Sequence, residues 1–232
     1  MPGQGKDEQN MTDFVAAREN MVESQVRPNG ITDRRIIDAM AAIAREDFVP
    51  AARRDIAYVD EDIQLADAED GQPARYLIEA MAFARLVHLA EIKSADKVLL
   101  IGAGTGYGAA VVARLAERVV ALESDGRLAV VARKTLSGIA NVTLVEGPLA
   151  EGCKAEAPYD VIIIEGRVAD VPEALFAQVK DGGRLAAVVG ESAVAKTHLW
   201  TMAGKTPALR MAFDASIAAL PGFAKKRPAF VF

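Results

Sequence analysis

Five short apolar runs constrain this chain more than any other feature: Val98–Ile101, Val119–Leu122, Val142–Val145, Val161–Ile164 and Leu185–Val189. Strands that are apolar on both faces must be covered on both faces, and a parallel sheet with crossover helices meets that demand. The segments between the runs fit, with helices expected at Ala109–Leu115, Arg127–Leu136 and Val171–Val179. Asp181-Gly182-Gly183 supplies the turn into the fifth run. Beyond it the pattern changes. Thr197–Met202 and Leu209–Phe213, separated by Ala203-Gly204-Lys205-Thr206-Pro207, read as a hairpin, and Phe230-Val231-Phe232 reads as a last strand. The expected class is α/β: a doubly wound, seven-stranded sheet, mostly parallel, with an antiparallel C-terminal hairpin.

Ahead of the sheet lie helices. Thr12 is placed to cap a first helix that runs to about Val26, with Phe14, Met21 and Val22 on one face. Arg27-Pro28-Asn29-Gly30 ends it. Thr32 then caps a second helix, in which Ile36, Ile37, Met40 and Ile43 share a face. Asp55 to Asp70, dense in acids, reads as an exposed loop, and Arg75 to Leu89 as a helix. Residues 1–10 read as a disordered lead or an expression remnant. Residues 11–232 read as one domain, made of a helical region (11–95) and a Rossmann-like core (96–232).

Bulk properties exclude several classes. With 51% hydrophobic residues the chain can bury a sizeable core. A net charge of -5 and a pI near 5.2 argue against a general nucleic-acid binder; Lys225-Lys226-Arg227 is the best basic patch and reads as a surface turn. Cys153 is the only cysteine, so no intrachain disulfide forms and a cytoplasmic setting is expected. His88 and His198 lie in unrelated segments without ligand spacing, so no metal is expected. Neither a signal peptide nor a membrane-length apolar run is present.

The first apolar run leads directly into Gly102-Ala103-Gly104-Thr105-Gly106-Tyr107-Gly108. A strand, a glycine turn and a helix start let backbone approach a nucleotide-like ligand. Twenty-one positions after Gly102, the second run ends in Glu123, where a ribose hydroxyl pair is usually bound. A dinucleotide loop wants Gly-x-Gly-x-x-Gly, and its third glycine is replaced here by Tyr107. The spacing Gly102-x-Gly104-x-Gly106 is typical of S-adenosylmethionine enzymes, which makes that methyl donor the expected cofactor and a nicotinamide the alternative.

Further motifs carry a family resemblance. Met21-Val22-Glu23-Ser24-Gln25-Val26-Arg27, Gly30-Ile31-Thr32-Asp33, Arg45-Glu46-Asp47-Phe48-Val49-Pro50 and Ala57-Tyr58-Val59-Asp60 occur in order ahead of the glycine loop. Ala157-Pro158-Tyr159-Asp160 and Gln178 to Leu185 follow it. From about Met21 to Gly190 the chain resembles the protein-L-isoaspartate O-methyltransferases. That family methylates the carboxylate of isoaspartyl residues in damaged proteins, without a metal. The resemblance implies a donor site lined by Gly102, Ala103, Gly104, Thr105 and Gly106, with Glu123 on the ribose and Ser124 beside the adenine. Gly147, Pro148 and Leu149 would complete the adenine side. It also implies a protein or peptide acceptor.

Two departures bear on the acceptor. The family's Gly-Gln-Thr-Ile-Ser-Gln-Pro, whose hydroxyls face the substrate carboxylate, is replaced by Asp70-Gly71-Gln72-Pro73-Ala74-Arg75-Tyr76, which contains no Thr or Ser, so neither hydroxyl carries over. Its Gly-Asp-Gly after the third strand is replaced by Glu146-Gly147-Pro148. Glu165-Gly166-Arg167 follows the fourth strand, at the carboxyl ends where ligands bind in such sheets. Glu165 there would repel an acidic acceptor or take a proton from an amine or hydroxyl, and Arg167 would pair with it or with a substrate carboxylate. Gln72, Tyr76, Glu165 and Arg167 are therefore the candidate substrate residues. Three readings stay open: isoaspartyl methylation, methylation of another carboxyl, amine or hydroxyl, and a protein that binds the donor or nothing and acts through partners. Arg75 or Tyr76 filling the methyl pocket would favour the third.

Overall fold

The computed structural model describes residues 14–69 and 71–223. Thr12, Phe230 to Phe232 and Lys225 to Arg227 lie outside the described residues, as does the whole lead.

A first helix, α1, covers residues 14–21 and widens into a π-helical turn at Val22–Val26, then tightens at Arg27–Asn29. Gly30, at φ 79°, ends it. Helix α2 (Arg34–Ala42) is capped by Asp33, whose carboxylate accepts from the Arg35 amide. Thr32 was the expected cap; Asp33, one residue nearer the helix, reaches its second amide instead.

The acidic segment holds more order than its composition predicts. Strand β1 (Ile63–Ala66) pairs antiparallel with β2 (Arg75–Leu77) as a separate two-stranded sheet. Both alternate, with Ile63, Leu65, Arg75 and Leu77 inward and Tyr76 outward. The expected helix therefore begins later, as α3 (Ala80–Leu89).

The seven-stranded sheet follows, built from β3 (Lys97–Ile101), β4 (Arg118–Glu123), β5 (Val142–Glu146), β6 (Tyr159–Val168), β7 (Val179–Val189), β8 (Ala195–Ala203) and β9 (Thr206–Ala215). Its order is β5-β4-β3-β6-β7-β8-β9. The first five pair in parallel, and β8 and β9 close the edge as the antiparallel hairpin. Helices α4 (Tyr107–Val112) and α5 (Gly126–Thr135) join β3 to β4 and β4 to β5.

Side-chain alternation splits the core in two. Val98 and Leu100 pack with α3, α4 and α5, whereas Leu99 and Ile101 pack with Leu149, Leu175 and Phe223 on the other face. That second face is thinly covered: the helix expected over Val171–Val179 is only α6, Glu173–Phe176. After β9 the chain turns back over the carboxyl end of β6. Arg167 and the 217–220 segment hold each other there, through Arg167 N donating to Ala218 O (2.9 Å) and Leu220 N to Arg167 O (2.8 Å). No helix among the described residues is long and apolar enough to cross a membrane.

Candidate functional site

The site is built where β3 ends. Gly102, Gly104 and Gly106 take φ of 86°, 57° and 103°, a region open to glycine at no steric cost. The loop is fastened from three sides. Gly102 N and Ala103 N donate to Leu122 O on β4, and Thr135 Oγ on α5 donates to Thr105 O. Thr105 Oγ donates to Phe48 O, so this side chain binds the N-terminal region to the loop.

Glu123, at the end of β4, is fully buried. Its Oε2 accepts from Gly104 N at 2.7 Å, and its Oε1 from Ser124 N and Asp125 N at 2.8 Å each. Arg75 reaches it from the inward face of β2. Nη1 lies 2.5 Å from Oε1 and Nη2 lies 2.8 Å from Oε2, a bidentate pair with Arg75 itself 3% exposed. Each carboxylate oxygen thus carries a guanidinium bond besides its amide bonds.

Other side chains stand on the glycines. Leu220 tips would lie 2.8 Å from a Cβ on Gly102, a Leu65 methyl 3.0 Å from one on Gly104, and Glu165 Oε2 2.1 Å from one on Gly108. Glu165 is buried, its Oε2 has no hydrogen-bond partner, and burial pushes its carboxyl up to about 8 against the pull of Arg45 and Arg75. Arg45 is fully buried too. It donates to Ala57 O (2.8 Å) and Ile78 O (2.7 Å), and its guanidinium lies 4.8 Å from the centre of the Tyr107 ring. Burial raises the Tyr107 hydroxyl, which has no partner either.

The expected residues divide accordingly. Gly102, Ala103, Gly104, Gly106 and Glu123 form one cradle. Gly147 joins it from behind, its amide donating to Glu123 O at 2.9 Å. Gln72 and Ser124 share a small cavity of about 230 Å³ with Asp125 and Arg127. Pro148 is exposed beside this region, but Leu149 belongs to the core under the sheet. Two substrate expectations are corrected. Tyr76 points to solvent because the β2 alternation gives the inward place to Arg75. Arg167 does not pair with Glu165: its guanidinium donates to the carbonyls of Ile217, Gly190 and Glu191, clamping strand ends. Arg45, Leu65 and Leu220 were absent from the expected set, and Arg75 entered it only as an occupant of the methyl pocket, not as a partner of Glu123. Arg45 was visible as the head of a family motif; Leu65 and Leu220 left no local signal.

A family model described as protein-L-isoaspartate(D-aspartate) O-methyltransferase matches residues 16–211. The chain belongs to that family. A relative named protein-L-isoaspartate O-methyltransferase from Koribacter versatilis is 39% identical over 183 residues, covering 78% of this chain and 79% of the relative. One of the same name from Methanoculleus marisnigri is 40% identical over 176 residues, covering 75% and 77%. A solved protein-L-isoaspartate O-methyltransferase superposes with a TM-score of 0.77 at 26% identity, covering 89% of this chain and 67% of that one. A Plasmodium falciparum structure, described as a putative member in complex with S-adenosyl-L-homocysteine, superposes at 0.72 with 16% identity, covering 88% and 98%, and so speaks to the fold alone.

Proposed function

We propose that this chain is an S-adenosylmethionine-dependent methyltransferase that O-methylates isoaspartyl carboxylates in polypeptides. The observation that carries the reading is the junction of the left-handed glycine loop with the buried acid of β4, within a chain of this family. The donor's needs fit what is present. Gly102, Gly104 and Gly106 have no Cβ, and the atoms standing on Gly102 and Gly104 are the ends of leucine side chains, which can rotate away. Glu123 turns Oε2 to the Gly104 amide and Oε1 to the amides of Ser124 and Asp125, and its carboxylate would accept from the ribose hydroxyls; Ser124, Gly147 and Pro148 would border the adenine side.

When bound, the donor supplies a methyl group already activated on a sulfonium, so the protein's part is alignment and exclusion of water. A carboxylate acceptor needs no general base near pH 7. Glu165 does not oppose such an acceptor: with its carboxyl pushed up to about 8, it is mostly neutral at pH 7 and adds little charge beside the loop. Arg167, committed to three carbonyls, shapes the strand ends without touching the acceptor. Labelled donor incubated with paired isoaspartyl and aspartyl peptides tests the reading: label on the isoaspartyl peptide alone is expected, and equal background on both removes it.

One observation favours a second reading, a protein that acts without methyl transfer. Arg75 fills the place beside Glu123 that the ribose would take. Failure to bind the demethylated product at millimolar concentration would select it.

A further inference from the structure

We propose that Arg75 is a built-in competitor for the donor's ribose, and that ligand enters only when the β1–β2 hairpin withdraws it from Glu123. The proposal rests on the donor-binding reading above. Its basis is the saturation of Glu123: the two oxygens accept three backbone amide bonds and both arms of the guanidinium. A ribose hydroxyl pair arriving there must take over the bonds that Arg75 makes. The pair is dry, with Arg75 3% and Glu123 0% exposed, so the guanidinium cannot be lifted off without a replacement donor for the carboxylate.

The hairpin is suited to move as one piece. It forms its own two-stranded sheet, with no backbone pairing to the main sheet among the described residues, and its register is irregular between Gln64 and Ala66. It also carries the second obstruction, since Leu65 on β1 stands on Gly104. One displacement would therefore clear the ribose acceptor and the loop face together. Among the described residues, the hairpin's outward end is held by exposed contacts, Arg127 to Glu69 at 3.2 Å and Arg127 to Asp67 O at 3.4 Å, while Gln64 on β1 accepts from Arg53 Nη2 at 2.9 Å and Ile63, Leu65 and Leu77 face the core.

The test measures affinity for S-adenosylhomocysteine by calorimetry in wild type, R75S and R75M, with hydrogen exchange of residues 63–77 followed on addition of ligand. R75M keeps the stem's packing, so the comparison survives if R75S folds poorly. The expected result is binding tighter by about tenfold or more in the variants, because a competent state that is a minor population weakens apparent affinity by its fraction. Ligand should also speed hairpin exchange in wild type, and by less in R75M, where only Leu65 has to leave the loop. Equal or weaker binding in both variants, with wild type binding, overturns the proposal and leaves the methyltransferase reading standing. No binding by any of the three overturns both.

Discussion

Glu165 is the buried group whose behaviour is easiest to isolate. Its carboxyl titrates near 8 in the folded protein against an ordinary 4.5, chiefly because burial penalises the anion. Below pH 4.5 both the folded and the unfolded chain hold the proton, and this residue costs nothing. Between pH 4.5 and 8 the unfolded chain releases the proton while the folded protein keeps it. Stability is therefore lost as pH rises through that window and is constant above it. At about 1.4 kcal/mol per pH unit, the full span amounts to about 5 kcal/mol, of which about 3.5 kcal/mol is gone by pH 7.

The variant E165Q keeps the shape and removes the titration. Every other group titrates alike in the two proteins, so the difference between their melting curves belongs to Glu165. E165Q should gain on wild type by roughly 10 °C between pH 4.5 and pH 7, from a sensitivity of about 2–4 °C per kcal/mol in a chain of this size. Scanning calorimetry at half-unit pH steps checks it. A difference that is flat with pH refutes the reasoning, and one that moves in favour of wild type shows that Arg45 or Arg75 holds Glu165 as an anion.

Three further outcomes follow from the same region. G108A places a Cβ 2.1 Å from Glu165 Oε2, which should expel that side chain at a cost of about 1–3 kcal/mol; denaturant melts of G108A, E165A and the double variant should show strong non-additivity. R45M strands the carbonyls of Ala57 and Ile78, at about 1–3 kcal/mol for each, and R45K should recover only part because an ammonium cannot fork to both. D62A removes the carboxylate that accepts from Glu79 N and Ala218 N, and hydrogen exchange at residues 217–220 should accelerate while that of β3 is unchanged.

How much of this was legible follows from the range of each interaction. The five parallel strands were readable because each is apolar on both faces, and the hairpin because its turn residues lie between its two runs. The glycine loop and Glu123 were readable because a fixed strand-helix-strand length separates them. Residues 63–77 were not. Ile63 and Leu65 alternate over only four residues among acids, and Arg75 to Leu77 runs without a break into a helix. Thr32 and Asp33 are both capping residues, and only the geometry of the first turn chooses between them. Arg75 meets Glu123 across 48 positions, and no spacing rule connects a two-stranded hairpin to the edge of a separate sheet.

In sequence, the hydroxyl-free stretch around Arg75 and the acid at Glu165 look like independent departures from the family. The structure brings them to one place: Arg75 sits on Glu123, and both lie close enough to Glu165 to act on its acidity in opposite directions. Placing Arg75 there without its partner would bury an uncompensated cation, and Glu123 supplies that partner. Glu165 gains no such partner and is held neutral by burial instead, with Gly108 giving it room. In the closure proposed above, the buried cation is paired with a buried acid, and Glu165 is kept neutral by burial. If that is how closure arose, R75S alone should reopen the ribose side while the Glu165 titration persists, its midpoint rising because the nearby cation is lost. Following that midpoint by carbon NMR of the Glu165 carboxyl in R75S decides it: an unchanged or lowered midpoint would mean that the two substitutions act apart.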